Sequence, residues 1–354
     1  MTIFVIMEKL GDKLKELRRQ KKMTLKDVGE VLGIDSTLIN RFEKNERIPS
    51  KEQIIKLSKV YKVSSKSLEI MRLSQKIYEI IDGEEFGLQA LKLCEDISEY
   101  KVKSSFSDSL LDEIIVLKKE LDGLRPLPIE QLKNLQEFYK IEYTYNSNKI
   151  EGNTLTLKET ALVVEKGITI NGKSMQEHLE AINHAEAIDF IADFVTNKTD
   201  FNAYYLKQLH ALILRGINKE YAGKYRNVNV RISGAEHTPP EPFMLDKLME
   251  DYFIFYENNK NTMNPVILAA EMHERLVTIH PFIDGNGRTS RLIMNLILMQ
   301  NGYPIAIINA EKNNRLEYYN TLEIAQVKFN KKPFYSFVAK TVKQSLVDFL
   351  KIVK

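Results

Sequence analysis

The chain has 354 residues, 44% of them hydrophobic and 28% charged, with a net charge of +3. That exceeds one ordinary domain and supplies enough apolar residues for real cores, and no repeats or low-complexity tracts are present. Its single cysteine, Cys94, excludes an intramolecular disulfide and fits a reducing, cytoplasmic setting, and no zinc-ligand spacing occurs. In chain order, Ile3-Phe-Val-Ile-Met7 is too short for a signal-peptide core and lacks a cleavage-like site. Leu10, Leu14 and Leu17 recur at helical spacing and predict a first helix. Thr24-Leu-Lys-Asp27 caps a second, which carries Val28, Val31 and Leu32. Gly33-Ile34-Asp35 is a tight turn, and Ser36 opens a third helix with Ile39 and Phe42 inward. Pro49 and Ser50 start a fourth with Ile54, Leu57 and Tyr61.

Two short helices joined by a glycine turn within a small helical unit, residues 8–64, read as a helix-turn-helix. The unit resembles the lambda-repressor-like (Xre/Cro) family, including the Glu43-Lys-Asn-Glu-Arg-Ile-Pro49 stretch after the recognition helix. The resemblance implies that Thr37, Asn40, Arg41 and Lys44 face the major groove of DNA. Residues 9–61 carry 14 Lys/Arg and 8 Asp/Glu, a charge of +6 against +3 for the whole chain. A basic module on a net-negative remainder suits a phosphate backbone. The plain alternative is a helix-turn-helix kept for protein contacts. Residues 65–124 are helical by pattern and charge-rich, a connector with the capacity to form a dimerising helix pair, so a homodimer is open. Arg125-Pro-Leu-Pro128 marks the boundary into a third region, 125–354.

In Tyr145-Asn-Ser-Asn-Lys-Ile-Glu-Gly-Asn-Thr154, Ser147 and Glu151 are four apart and stack on one helix face. Gly152-Asn153 stops that helix, and Thr156-Leu-Lys-Glu159 is a capping box opening the next. Between Gly223 and Pro240, Val228, Val230 and Ile232 alternate with polar residues before a Ser233-Gly234 turn, which predicts a short β-hairpin. The segment His280-Pro-Phe-Ile-Asp-Gly-Asn-Gly-Arg-Thr-Ser-Arg291 gathers the groups that nucleotide-phosphate chemistry needs. His280 is a base near neutral pH, and Asp284 is a hard oxygen ligand suited to Mg²⁺. Gly285 and Gly287 let the backbone approach an anion, and Asn286 adds a side-chain donor. Arg288 and Arg291 share a face near the start of the apolar helix that follows, where unpaired N–H groups also point at an anion. Leu292 to Met299 is interrupted by Asn295 and too short to span a bilayer, so no membrane partner is expected.

The signature is similar to that of the Fic family, and the likeness runs from about Leu127 to about Val342. It implies an all-α fold, a Fic-type helical bundle with a small β-hairpin flap behind the helix-turn-helix unit. It also implies transfer of AMP from ATP to a Ser, Thr or Tyr hydroxyl of a target protein, with His280 as base and Asp284 holding Mg²⁺. Gly285, Asn286, Gly287 and Arg288 would bind the α/β phosphates and Arg291 the γ-phosphate, with Thr289 and Ser290 in the same stretch. Relatives with lysine in place of Gly287 act as kinases, so glycine here implies nucleotidyl transfer. Ser147, Glu151 and Gly152 match the family's inhibitory pattern, on a helix around 140–152 that precedes the core. Glu151 would then pair with Arg291 and occupy the γ-phosphate space, and similar relatives use this glutamate to remove AMP as well. The flap, including Ile232, Ser233, Gly234 and Ala235, would align the target by strand addition and touch the nucleotide. Within Glu317-Tyr-Tyr-Asn-Thr-Leu-Glu-Ile-Ala-Gln326, Tyr318 and Gln326 would close the adenosine pocket. Two rival readings stay open: transfer of another phosphate moiety, and a transcription regulator whose Fic part only senses nucleotide. His273, seven residues before His280, is given a core or supporting role, and His178, His184 and His210 structural ones.

Overall fold

The computed structural model describes residues 9–82 and 108–354, which belong to two compact units. The Ile3–Met7 run, Cys94 and the 83–107 part of the expected connector lie outside the described residues. Fifteen α-helices and no strand occur among those described.

The first unit comprises α1 (Leu10–Gln20), α2 (Leu25–Leu32), α3 (Ser36–Glu43), α4 (Lys51–Tyr61) and α5 (Ser65–Ile81). Thr24 and Ser50 open α2 and α4 with capping boxes, and Asp35 accepts the Thr37 amide at the start of α3. Leu10, Leu14, Leu17, Val28, Leu32, Ile39, Phe42, Ile54, Leu57 and Tyr61 form one core, which Leu68 of α5 completes. The start of the expected connector therefore belongs to this unit. Val31 points outward at 62% exposure, because the eight-residue α2 has one buried stripe and Val28 and Leu32 occupy it. A bidentate pair ties α1 to the end of α3: Arg18 Nε and Nη2 reach Glu43 Oε1 and Oε2 at 2.6 and 2.8 Å.

The second unit comprises α6 (Asp108–Gly123), α7 (Ile129–Ile150), α8 (Leu157–Lys166), α9 (Met175–Thr196), α10 (Ala203–Ile213), α11 (Leu245–Asn259), α12 (Pro265–Ile279), α13 (Asn286–Gln300), α14 (Lys312–Lys328) and α15 (Lys332–Val353). It begins upstream of the Arg125–Pro128 signal, because α6 packs along α15 and gives Ile114 and Leu121 to the core. Helix α13 is buried on nearly every side, the mark of a central helix, and α7, α9, α10 and α12 surround it. No described helix is long and apolar enough to cross a membrane.

The expected hairpin between 223 and 240 is not formed, and the segment runs as irregular chain. Two of its carbonyls accept from a side chain instead of from the amides of an opposite strand. The Arg226 guanidinium donates to the carbonyls of Val228 (2.9 Å) and Pro240 (2.5 Å), clamping both limbs. The predicted turn is present, with Gly234 at φ +77° and the Ala235 amide on the Ile232 carbonyl.

Glu43 is deeply buried, so removing its partner strands a carboxylate. Arg18→Met should destabilise the first unit by about 3 kcal/mol, read from urea dependence of amide exchange at Val28 and Ile54. A loss below about 1 kcal/mol would reduce the pair to a surface contact.

Candidate active site

Helices α12 and α13 are joined by a six-residue loop, His280 to Gly285, and the loop's shape is fixed from three sides. His280 ends α12 in left-handed geometry, φ +51°, an unusual pose for a residue with a side chain. Arg226 holds it there: its Nε donates to the His280 carbonyl and its amide to the Pro281 carbonyl, each at 2.8 Å. His210 Nδ1 accepts the Gly223 amide, so Nε2 carries the proton and donates to the Asp284 carbonyl, both at 2.9 Å. The same ring stacks on Phe282 at 3.6 Å and 5°. Asn286 spends its side chain on the Phe282 backbone, donating to the carbonyl at 2.9 Å and accepting the amide at 3.0 Å. What it leaves for an anion is its backbone N–H, contrary to the side-chain role expected from the sequence.

Gly285 caps α13 at φ +75°, and the amides of Asn286, Gly287 and Arg288 precede Thr289, the first to bond to the Gly285 carbonyl. The cradle is thus a true helix N-terminus. Arg288 is 3% exposed, and its charge partners, Glu180 and Asp284, are both at 3.5 Å. Its Nε and Nη1 have no hydrogen-bond acceptor, an under-satisfied buried cation suited to a further anion. Thr289 and Ser290 are fully buried, and the Ser290 hydroxyl donates to the Gly287 carbonyl, so neither side chain opens onto the cleft. Asp284 stands at the mouth with its side chain 56% exposed.

The spacing of Ser147 and Glu151 has the expected consequence. Arg291, 1% exposed, donates Nε to the Ser147 hydroxyl at 3.0 Å and Nη2 to the Ser147 carbonyl at 2.9 Å. Nη2 also meets Glu151 Oε1 at 2.6 Å. Burial opposes ionisation of Glu151, but the charges of Arg291, Arg288 and Arg315 outweigh it and hold the carboxyl below its ordinary range. Gly287 makes the contact feasible: a Cβ there would stand 2.3 Å from Glu151 Oε1. Gly152, at φ +103°, turns the chain after Glu151, and Asn148 and Asn153 anchor the turn on α9 through Glu177 and Glu180.

Tyr318 faces inward behind Arg291, away from the pocket role expected for it. Tyr319 is the outward ring, 41% exposed, with its hydroxyl donating to the Ile150 carbonyl at 3.1 Å. Gln326 is buried with Nε2 unpartnered, and Ser233 and Gly234 are exposed at the loop tip. The Glu236 amide donates to Glu323 on α14, which ties that loop to the same helix. Arg226, Tyr319 and the bracing role of His210 had no sequence signal, because the carbonyls they reach at the site, those of His280, Ile150 and Asp284, lie 54 to 169 residues away.

Residues 200–298 match the Fic/DOC family, and residues 14–68 match a helix-turn-helix family. The chain carries a Fic domain behind a helix-turn-helix domain. It is 33% identical over 275 residues to "Protein adenylyltransferase Fic" of Drosophila grimshawi, covering 75% of this chain and 56% of that protein. The protein of that name from Aedes aegypti is 37% identical over 218 residues, 61% and 42% of the two chains. This chain thus spans about half the length of the curated relatives it matches. A Fic domain containing signaling protein from Bacteroides thetaiotaomicron superimposes with a TM-score of 0.63 at 28% identity, covering 68% and 97% of the chains. Fic-1 from C. elegans shares the fold, with a TM-score of 0.62 at 23% identity and 98% of both chains covered.

Four histidines of this domain are held neutral, with burial as the main cause. It pushes His210 and His280 down to about 4, His273 to about 3 and His184 well below its ordinary value. Unfolded, each titrates near 6.5, so between about pH 6.5 and 4 the unfolded chain binds protons that the native one refuses. Stability of the Fic domain should therefore fall with pH in that window, by up to about 1.4 kcal/mol per pH unit per histidine. Thermal melts from pH 7 to 5 test this, and a flat melting temperature would refute it.

Proposed function

We propose that this protein is an adenylyltransferase that moves AMP from Mg·ATP to a Ser, Thr or Tyr hydroxyl of a protein, itself included, and that Glu151 holds it off. One observation carries the reading. The buried Arg291 guanidinium at the mouth of a helix N-terminus finds its counter-charge in a glutamate from another helix. Arg291 is thereby suited to the γ-phosphate, and Glu151, whose side chain is 35% exposed, is suited to be displaced. Gln326 with its unpartnered amide, the Tyr319 ring and the 232–235 tip are candidates for the adenosine side.

The chemistry assigned to the residues is simple. His280 Nδ1 lies 3.2 Å from the Val277 carbonyl, so Nδ1 carries the proton and Nε2 is open as base. As the target oxygen bonds the α-phosphorus, its proton passes to Nε2 and the bond to the β-phosphate oxygen breaks, releasing pyrophosphate. Arg288 and the first-turn amides of α13 bear the charge on the phosphates. Asp284 fits Mg²⁺ as one exposed hard ligand, and no cluster of three ligand side chains occurs among the described residues. Bound there, the ion would neutralise phosphate oxygens.

The first unit is read as a DNA-binding module. Thr37, Arg41 and Lys44 are exposed and Asn40 is half-buried, on one face of α3. Replacing Arg41 and Lys44 by alanine should weaken binding to any duplex and lower the salt slope by about 1 per lost phosphate contact.

The enzyme reading is tested with ATP labelled at the α- or the γ-phosphate. Glu151→Gly should raise α-label incorporation at least about tenfold, and γ-label should not transfer. Adding His280→Ala should cut incorporation by about 10²–10⁴. Incorporation unchanged by Glu151→Gly sinks the inhibitory assignment. A variant without His280 that keeps a nucleotide-dependent DNA response, where no label ever transfers, favours a sensing regulator.

A further inference from the structure

Three of the four polar contacts around Arg291 come from one element. Ser147 Oγ, the Ser147 carbonyl and Glu151 all belong to the end of α7. The fourth comes from α14: the Tyr318 hydroxyl lies 3.5 Å from Arg291 Nη1. Tyr318 is 1% exposed, and its hydroxyl also sits 2.9 Å from His273 Nε2 on α12. His273 is fully buried, and its ring is edge-on to that of Tyr318.

Arg291 fixes the direction of this chain of contacts. A guanidinium has donors only, so the Tyr318 oxygen must turn a lone pair toward Nη1. The hydroxyl proton then points to His273, whose Nε2 accepts it. With the opposite tautomer the tyrosine proton would have to find another acceptor or face a cation. A neutral imidazole is what burial favours at this position.

We propose that Tyr318 and His273 are a positioning pair that holds the Arg291 guanidinium in its phosphate-facing geometry when Glu151 has left it. At 3.5 Å the contact is weak while Glu151 draws the cation at 2.6 Å. Once that carboxylate is displaced, Tyr318 is the partner that does not depend on α7. Without it only the two Ser147 contacts from α7 would hold the guanidinium, Nη1 would have no protein partner, and ATP would have to complete the ordering, at a cost in affinity. The inference rests on reading Arg291 as the γ-phosphate ligand.

The test uses the full chain with Glu151→Gly and compares ATP with ADP, which lacks the γ-phosphate. In that background ATP should bind more tightly than ADP. Adding Tyr318→Phe should weaken ATP about five- to tenfold and leave ADP unchanged, with KM for ATP raised and kcat retained. His273→Leu, which deletes the acceptor and spares the hydroxyl, should repeat the selective loss and carries the test if Tyr318→Phe does not fold. His273→Gln, which keeps an acceptor oxygen, should recover most of it. Equal losses for ATP and ADP, or no loss for either, overturn the proposal. If Glu151→Gly alone binds ATP no better than ADP, the γ-phosphate reading itself fails.

Discussion

A fully buried guanidinium is the constraint around which the Fic domain is organised. Taking Arg291 out of water costs several kcal/mol, and only a charged partner with several hydrogen bonds offsets it. Helix α13 must be buried to form the core, so its first two turns carry Arg288 and Arg291 into the interior with it. Ser147 and Glu151, one turn apart on α7, supply what Arg291 needs. Arg288 is left with two partners at 3.5 Å and two donors unpaired. One cation is satisfied by the protein and its neighbour is not. On the proposed reading this asymmetry explains why a polyphosphate could enter beside Arg288 before Glu151 yields.

The opposite sign of demand falls on the histidines. The burial that makes the arginines need anions removes the proton from His280, and the neighbouring Arg226 acts in the same direction. On the proposed reading a base already neutral is ready to accept a proton, so burial would prepare both base and phosphate site. The αL backbone of His280 has an energetic cost of about 1–3 kcal/mol. Arg226 offsets it by taking the carbonyls of His280, Val228 and Pro240 together. The 226–240 loop and His280 are therefore mechanically one object.

What could be read in the sequence were features written over a few residues. Capping boxes at Thr24 and Thr156, the Ser147–Glu151 stacking and the glycine-capped start of α13 are local, and all are present as expected. The hairpin was misjudged because alternation at 228–232 reports strand preference but not whether a partner strand competes with an arginine. Tyr318 and Tyr319 differ by 100° of helix phase, and two identical side chains carry no information about which faces inward. Only the packing of α12 and α15 decides, placing Tyr318 among His273, Phe334 and Phe337. Asn286 looked like an anion donor because its type suits that task, yet the loop's own backbone claimed both its polar atoms.

Gly287 connects these threads. A glycine beside bound phosphate is expected because a backbone must come close to an anion. In this domain the same position is also pressed from the other side, since a Cβ would meet Glu151 Oε1 at 2.3 Å and Arg291 Nη1 at 3.2 Å. Any side chain would have to expel the carboxylate or turn the guanidinium. On the proposed reading, the residue that permits phosphate to approach is also the one that permits Glu151 to stand in for phosphate. On that reading a substitution there would disturb the cradle and release the glutamate together, so substrate choice and restraint would rest on one missing side chain.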